Sequence, residues 1–364
     1  MSDPFRVLIA GGGTGGHVFP GVAVADALAR RTRDLAVTWV GTRRGIEARV
    51  LPTTPWRFEP IDVSPLNGVR GVALVRSLAK LGPASAHCVR VLRRDRPQVV
   101  LGVGGYAGGP VVALAAAMGI PTAVLEPNAV PGLANRILAR MVKRAFLTHE
   151  EAMGAFPKGV AMVTGSPVRR AFLQRMSTDA PEREVPELLV VGGSQGARAI
   201  NDVVPEAVAL LRARGVRVTV THQTGQATRD AVAAEYEKRG VEASVVAFID
   251  DVASAMERAS LLVCRAGAMT VAELGVIGRP AVYVPLPTAA DDHQRKNAEA
   301  MTAKGAARWI AQRDLTASRL ADELAALLGD PAALAEMGRR AWETARPDAA
   351  GTIADELMAL TREG

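Results

Sequence analysis

Short apolar runs alternate along this chain with longer stretches in which apolar residues recur every three or four positions. The short runs are typical of buried strands, and the longer stretches are typical of helices that cover a sheet. This alternation predicts an α/β fold built on parallel sheets. The predicted strands are residues 7–10, 36–40, 99–103, 122–125 and 144–148, then 188–191, 216–221, 245–248, 261–264 and 281–284.

A glycine-rich turn follows the first predicted strand of each half of the chain. The first turn is GGGTGG at residues 11–16, and the second is GGSQG at residues 192–196. Each leads into a helical pattern, so backbone N–H groups at a helix N-terminus can closely approach a phosphate. Two such turns predict two Rossmann-like domains and make a nucleotide that carries a diphosphate the first ligand to expect.

Turn residues also predict the domain boundaries. The segment VTGSP at residues 163–167 ends a strand, so we expect a first domain at residues 1–165 and a second at 166–340. A helical stretch at 341–364, with Pro347 near its start, either stays with the second domain or packs back on the first.

Composition excludes several kinds of site. The 2 Cys form no CxxC pair and the 5 His lie far apart, so we expect neither a disulfide framework nor a metal site. Residues 1–165 contain 20 Lys/Arg against 10 Asp/Glu, which indicates an anionic partner. Aromatic residues are only 4% of the chain, too few for base stacking, so we expect no nucleic acid. The charge-free residues 97–125 contain too many Gly and Pro for a membrane-spanning helix.

An NADP-dependent enzyme is an alternative that the first turn leaves open. Residues 11–16 satisfy GxGxxG, but the second strand lacks the terminal acidic residue that binds the ribose of NAD. Arg43 and Arg44 at that strand end would suit a 2′-phosphate. The bulky residues 17–20 and the second glycine turn favour a two-domain enzyme that uses a sugar nucleotide.

Ordered motifs along nearly the whole chain are similar to those of one family. They are GGTGGHVFP at 12–20, GGY at 104–106 with GP at 109–110, EPN at 126–128, GSPVR at 165–169, GGSQGA at 192–197, CRAGAMTVAE at 264–273, and HQ at 293–294 followed by NA at 297–298. With these motifs, the chain resembles the MurG family of UDP-N-acetylglucosamine transferases.

The resemblance implies a GT-B fold, in which two Rossmann-like domains with parallel sheets face a cleft. It also implies that N-acetylglucosamine (GlcNAc) moves with inversion from UDP-GlcNAc to the C4 hydroxyl of N-acetylmuramic acid. That acceptor sugar belongs to undecaprenyl-diphosphate-linked muramyl-pentapeptide (lipid I), and the products are lipid II, for peptidoglycan, and UDP. The enzyme would lie peripherally on the cytoplasmic face of the bacterial inner membrane, against an anionic surface and near other cell-wall synthesis proteins. No cofactor is implied, and the acid pairs at 250–251 and 291–292 lack the DxD spacing of a metal site.

For the donor, the resemblance implies that Arg169, the Ser194 hydroxyl and the helix N-terminus after the second turn stabilise the leaving diphosphate. Glu273 would accept two hydrogen bonds from the ribose hydroxyls. Contacts to uracil and sugar would come from Asn128, Ile249, Ala268, Met269, Thr270, Val271, Ala272 and Gln294. Structural roles remain open alternatives: a helix cap for Ser194, a solvated charge for Arg169, a solvent-facing helix position for Glu273, a core position for Ile249, and loop hydrogen bonds for Asn128 and Gln294.

For the acceptor, the resemblance implies that Thr14, Gly15 and Gly16 face the donor sugar and the acceptor diphosphate. His17 is the candidate general base, because histidine has an ordinary pKa of about 6.5 and is largely neutral at cytoplasmic pH. Alternatively, His17 positions the loop or binds the acceptor. Glu126 is the alternative base, and Tyr106 is a candidate acceptor contact.

Residues 69–96 predict contact with an anionic membrane surface, since they combine apolar and basic positions. The apolar positions are Val72, Leu74, Val75, Leu78 and Leu81, and the basic ones are Arg70, Arg76, Lys80, Arg90, Arg93, Arg94 and Arg96. An amphipathic helix packed on its own sheet, with a solvated basic face, is the alternative. Three other functions stay open: a transferase for another lipid acceptor, a UDP-GlcNAc 2-epimerase, and a non-catalytic sugar-nucleotide-binding protein.

Overall fold

The computed structural model describes residues 3–62, 72–177, 183–193, 196–289 and 292–362, with all their side chains except those of 72–81 and 106. Two compact units divide the chain: Met1–Arg169 with Arg346–Gly364, and Arg170–Ala345. Each unit is built on a parallel sheet, so the predicted α/β class with two domains is confirmed. Ser194, the side chain of Tyr106, and the predicted membrane-contact side chains from Arg70 to Leu81 lie outside what is described.

A seven-stranded sheet forms the centre of the first unit, in the order β3-β2-β1-β4-β5-β6-β7, with every pair parallel. Its strands are β1 (Phe5–Gly11), β2 (Leu35–Thr42), β3 (Arg57–Ile61), β4 (Val99–Gly104), β5 (Thr122–Glu126), β6 (Arg144–Leu147) and β7 (Ala161–Val163). Its helices are α1 (Gly15–Arg31), α2 (Glu47–Val50), α3 (Val72–Asp95), α4 (Gly105–Ala117), α5 (Leu133–Leu138) and, from the end of the chain, α14 (Ala349–Leu360).

The second unit repeats this plan with a six-stranded parallel sheet in the order β10-β9-β8-β11-β12-β13. Its strands are β8 (Glu187–Val191), β9 (Thr219–Gln223), β10 (Ser244–Val246), β11 (Leu261–Cys264), β12 (Ala281–Tyr283) and β13 (Arg308–Trp309). Its helices are α6 (Arg170–Leu173), α7 (Arg198–Ala213), α8 (Arg229–Lys238), α9 (Val252–Arg258), α10 (Ala268–Val276), α11 (His293–Ala303), α12 (Ala317–Leu328) and α13 (Pro331–Glu343).

Apolar clusters cover both faces of the first sheet. On one face, Ile353 and Leu357 of α14 join Val24 and Leu28 of α1 in the core, so the C-terminal helix packs in the first unit. On the other face, α4 packs beside both α3 and α5. Within the described part of the chain, no helix is both long enough and apolar enough to cross a bilayer.

Both sheets change direction at a switch point next to a glycine turn. In the first sheet β1 lies between β2 and β4, so the loops after β1 and β4 separate there. The second sheet has the same arrangement around β8 and β11. Ligands of open α/β sheets bind beyond the carboxyl ends of the strands at such points, which is where each glycine turn lies.

The pattern of apolar residues missed edge strands and misjudged some strand ends. β3 contains Arg57 and Pro60, and β13 has only two residues, so neither forms an apolar run. The strand predicted at 216–221 begins later, because the Val216 N–H bonds to the Leu211 carbonyl and closes the end of α7. The strand predicted at 245–248 ends at Val246, and Phe248 is 54% exposed.

Candidate functional site

The first glycine turn closes over a buried carboxylate. Glu47, at the start of α2, is fully buried, and its Oε2 accepts a hydrogen bond from the Gly13 N–H at 2.7 Å. Its Oε1 accepts from the backbone N–H and the hydroxyl of Thr42, at 2.8 and 2.7 Å. A Cβ on Gly12 would lie 2.1 Å from Oε1, so only glycine lets the turn approach this closely. Sequence reasoning missed Glu47, because a glutamate that starts a short helix usually faces solvent.

His17 lies in the first turn of α1 and packs against the loop after β4. Its Nδ1 is 3.3 Å from the Gly12 carbonyl oxygen and 3.2 Å from the Thr14 hydroxyl. Because a carbonyl only accepts, we assign the proton of the neutral ring to Nδ1, which leaves Nε2 as the basic nitrogen. A Cβ on Gly104 would lie 2.5 Å from the His17 ring, and Gly104 has a φ of 97°, so glycine is required there too.

Glu126, at the end of β5, is buried and holds the loop that follows it. One carboxylate oxygen accepts from the backbone and side-chain N–H groups of Asn128, at 3.0 and 3.1 Å. The other accepts from the Gly132 N–H and from Asn135 Nδ2, at 3.0 and 2.9 Å. Burial raises the pKa of Glu126, and these hydrogen bonds act in the opposite direction. A carboxylate with both oxygens engaged in this way is suited to shaping a loop.

Arg169 ends the first stretch of the first unit and lies beside α1. Its guanidinium carbon is 4.6 Å from the centre of the Phe19 ring, within cation–π range. Phe19 in turn packs against Gly15, where a Cβ would lie 2.9 Å from the ring. The structure therefore brings Arg169 to the first glycine turn through an aromatic side chain to which sequence reasoning gave no role.

The second glycine turn rests on an uncharged amide. Gln223, at the end of β9, is 5% exposed, and its Oε1 accepts from the Gly193 N–H at 3.1 Å. Its Nε2 donates to the carbonyl oxygens of Gly193 and Ala247, at 2.9 and 3.0 Å. The turn leads into α7, whose first residue, Arg198, has a side chain that is 90% exposed. Ser194, the predicted phosphate contact of this turn, lies outside the described residues.

Behind the second turn lies a buried neutral network centred on His222. The ring is fully buried, with Nδ1 3.1 Å from the Tyr236 hydroxyl and Nε2 3.1 Å from Asn201 Oδ1. Asn201 Nδ2 donates to the Thr224 carbonyl at 3.0 Å. Burial lowers the pKa of His222 to about 3, so the ring is neutral at physiological pH.

The predicted ribose contact, Glu273, lies on α10 after β11 and is 5% exposed, so it is not a solvent-facing helix residue. Met269 and Val271 are also buried, whereas Ala268, Thr270 and Ala272 are partly exposed near the start of the same helix. This end of α10 lies at the switch point of the second sheet. It follows β11, which borders β8 on one side, whereas Gln223 ends β9, which borders β8 on the other side.

Two more predicted donor contacts lie in the second unit, one in a loop and one on a helix. Ile249 follows β10 and is half-buried. Gln294, near the start of α11, accepts the Leu286 N–H on its Oε1 at 3.0 Å, so its carbonyl oxygen has a loop partner. Among the residues that the structure describes, no group of three or more His, Cys, Asp or Glu side chains is arranged to hold a metal ion.

Comparisons with known proteins agree on one family. The glycosyltransferase family 28 N-terminal domain matches residues 7–147, and the family 28 C-terminal domain matches residues 187–353. A UDP-N-acetylglucosamine--N-acetylmuramyl-(pentapeptide) pyrophosphoryl-undecaprenol N-acetylglucosamine transferase of Geobacter sulfurreducens is 44% identical over 98% of this chain and 99% of its own. The crystal structure of Acinetobacter baumannii MurG is similar at a TM-score of 0.81 and 32% identity, over 98% of this chain and 100% of that one. A UDP-GlcNAc 2-epimerase of Neisseria meningitidis, bound to UDP-GlcNAc, has a TM-score of 0.70 over 97% and 100% of the two chains, but only 12% identity, which shows a shared fold alone.

Proposed function

The chain belongs to glycosyltransferase family 28, and from that membership we propose that it transfers GlcNAc from UDP-GlcNAc to lipid I, with inversion, and releases lipid II and UDP. The observation that carries the proposal is the similarity, over nearly the full length of both chains, to relatives that have this activity in their names. The two glycine turns each lie at a sheet switch point, where ligands of open α/β sheets bind, and this supports a transfer between two substrates.

We assign the donor diphosphate to the second turn and the N-terminus of α7. The amide of Gln223 adds no negative charge beneath this turn, and the helix N-terminus and Arg198 favour an anion. Ser194 and Arg169 would complete the charge stabilisation of departing UDP. The buried carboxylate of Glu273 is suited to the ribose diol, since it can accept two hydrogen bonds in a site shielded from water.

The remaining donor contacts follow from the groups that each side chain presents. Ile249 would pack against the edge of uracil, and the backbone of residues 268–272 would line the same region. Gln294 has its Oε1 on Leu286, so its NH2 would donate to a sugar hydroxyl. The NH2 group of Asn128 donates a hydrogen bond to Glu126, so the Oδ1 of Asn128 would accept a hydrogen bond from a sugar hydroxyl.

The first turn supplies the proton-transfer chemistry. As the C4 oxygen of the acceptor bonds to C1 of GlcNAc, His17 Nε2 would take the hydroxyl proton, and the bond from C1 to the UDP oxygen breaks with its electron pair on UDP. The Nδ1 contacts of His17 support this assignment, because they leave Nε2 as the basic nitrogen. Thr14 would contact the sugars, and the α1 N-terminus at Gly15 and Gly16 would hold the acceptor diphosphate. Tyr106 is a further candidate contact to the acceptor.

Membrane contact would involve helices on one face of the first unit. Arg90 and Arg93 of α3 are exposed, whereas Arg94 forms ion pairs with Glu59 and Asp95. On and after α5, three exposed apolar side chains recur at four-residue spacing: Leu133, Ile137 and Met141 are 48%, 65% and 44% exposed. An apolar stripe with neighbouring basic residues suits the interface of an anionic bilayer. We therefore propose a peripheral enzyme on the cytoplasmic face, where other cell-wall synthesis proteins would meet it.

The test is UDP release from UDP-GlcNAc, measured with and without a short-chain lipid I analogue. Release only with the analogue supports the proposal, and His17→Ala should then abolish release while UDP affinity stays unchanged. If the protein binds UDP-GlcNAc but releases no UDP when the analogue is present, a transferase for another lipid acceptor would be favoured. Turnover of UDP-GlcNAc without an acceptor would favour the epimerase alternative and overturn the proposal.

A further inference from the structure

The Gly12–Gly13 peptide unit links the buried carboxylate of Glu47 to the ring of His17. The N–H of this unit, on Gly13, donates to Glu47 Oε2 at 2.7 Å. Its C=O, on Gly12, faces His17 Nδ1 at 3.3 Å. Because the N–H and C=O of a trans peptide point in opposite directions, one rigid plane separates the carboxylate from the imidazole.

The negative charge of Glu47 acts directly on that plane. Both of its oxygens accept from N–H or O–H donors, as an ionised carboxylate does. Within the described chain, the side chain of Glu47 accepts hydrogen bonds from Gly13 and Thr42 and forms no salt bridge. A charge bonded to one end of a peptide polarises the other end, so the Gly12 carbonyl becomes a stronger acceptor. A stronger acceptor favours the His17 tautomer with its proton on Nδ1 and stabilises the imidazolium that forms when Nε2 takes a proton.

We propose that Glu47 is a positioning residue for catalysis, which acts on His17 through the Gly12–Gly13 peptide. The inference rests on the proposed role of His17 as the general base. The arrangement resembles an Asp-His pair of hydrolases with a peptide unit inserted between carboxylate and imidazole. The glycine turn therefore has a second use besides approaching substrate, since it carries the influence of a buried charge to the base.

Glu47→Gln tests the link with nearly constant volume. One carboxylate oxygen becomes an NH2 group, so the side chain can no longer accept from both Gly13 and Thr42. In protein with 15N-labelled histidine, the wild-type His17 signal should show the proton on Nδ1, and the variant should show a mixture of tautomers. The signal is assigned by its loss in His17→Ala. We expect kcat to fall by about 10- to 100-fold, with the Kd for UDP-GlcNAc unchanged.

Two further variants separate positioning from folding. Thr42→Val removes one donor to Glu47 but keeps the Gly13 bond, so it should shift the tautomer in the same direction and by less. Thr38→Val, in the middle of β2, removes a hydrogen bond to Asp95 and should change neither the tautomer nor kcat. Should Glu47→Gln fail to fold, the wild-type spectrum and Thr42→Val still decide the matter.

A wild-type His17 with its neutral proton on Nε2 would overturn the inference. So would a folded Glu47→Gln protein with an unchanged His17 tautomer, whatever its kcat. Full transfer activity in His17→Ala would instead overturn the role of His17 as base, which is a failure of the proposed function and is read from a different variant.

Discussion

The two glycine turns follow equivalent strands of two similar sheets, yet the groups beneath them differ in charge. Under the first turn, the carboxylate of Glu47 binds the Gly13 N–H. Under the second, the amide of Gln223 binds the Gly193 N–H and also donates to the Gly193 carbonyl. Like charges 4 Å apart repel by about 4 kcal/mol at the effective dielectric constant of a protein surface. Under the proposed function, this repulsion would keep an anion away from Gly13, so the acceptor diphosphate would lie beyond it at Gly15 and Gly16, whereas the second turn itself would hold the donor diphosphate.

The same contrast extends to the surfaces of the two units. The first unit contains 23 Lys/Arg against 14 Asp/Glu and the second 21 against 23, so the excess of positive charge lies in the first unit, where α5 also has exposed apolar side chains. The second unit instead has a buried neutral network behind its turn. The proposed function uses this difference: the base and the membrane-bound acceptor would lie at the first unit, and the anionic donor at the second.

Gln223→Glu should have the largest effect, because it gives the second turn the charge of the first. We expect the Kd for UDP to rise at least about 100-fold, since a buried carboxylate would lie under the diphosphate site. Isothermal titration calorimetry at pH 8 measures it, with thermal melting to verify folding. Gln223→Met removes the hydrogen bonds without adding charge, and we expect a loss of less than about tenfold. Equal affinity in the two variants would show that charge does not distinguish the turns.

Removing exposed charge from the first unit should weaken membrane binding. Each basic residue near an anionic surface contributes about 1 kcal/mol, so Arg90→Gln with Arg93→Gln should lower partitioning into phosphatidylglycerol vesicles by about 30-fold. Cosedimentation measures this, and the Kd for UDP should not change. The matched control is Lys304→Gln with Arg319→Gln, which removes the same charge from exposed positions of the second unit. Equal losses in the two pairs would contradict a membrane-facing first unit. Arg94 is unsuitable for this test because of its ion pairs.

Acid should destabilise the second unit through His222. Its pKa is about 3 when folded, against about 6.5 when unfolded, so between these values only the unfolded chain binds the proton. Stability therefore falls as the pH falls below 6.5, by about 2 kcal/mol between pH 6.5 and pH 5 from this group. Calorimetry at both values measures it, with UDP used to identify the transition of the second unit. His222→Gln should flatten this dependence, and an unchanged slope would contradict the assignment.

The features that lie close together in the sequence were the predictable ones. β1 and β8 are apolar runs that continue directly into glycine turns, so strand, turn and helix could be read from adjacent residues. Edge strand β3 could not be predicted from adjacent residues, because Arg57 and Pro60 interrupt its apolar pattern. For the site, Glu273 is the last residue of the motif at 264–273, so it could be singled out from adjacent residues; its burial is observed, and its contact to ribose stays a prediction.

The supporting groups of the site were not predictable, since they come from distant parts of the chain. Glu47 reaches the first turn only after β2 and its loop fold back beside β1. Gln223 reaches the second turn in the same way through the pairing of β9 with β8. No local pattern marks either residue, because an isolated polar residue after a strand is common in loops. The contact between Arg169 and Phe19, which lie far apart in the sequence, is a third such case.

Phe19→Leu should have the smallest effect, and it tests whether the aromatic ring holds Arg169 in position beside the first turn. The ring lies 4.6 Å from the Arg169 guanidinium carbon, and a partly exposed cation–π contact contributes about 0.5–1 kcal/mol. We expect kcat to fall about two- to fivefold, because Arg169 would be less firmly held for the departing diphosphate. Phe19→Tyr keeps the ring and should stay near wild type.

A double-mutant cycle with Arg169→Lys isolates the contact between the two side chains. Lysine keeps the charge but loses the planar group that stacks on a ring. If the contact positions Arg169, Phe19→Leu should cost less in the Arg169→Lys background than in the wild type. Additive losses would mean that Phe19 acts only by packing against Gly15, and that its ring does not position Arg169.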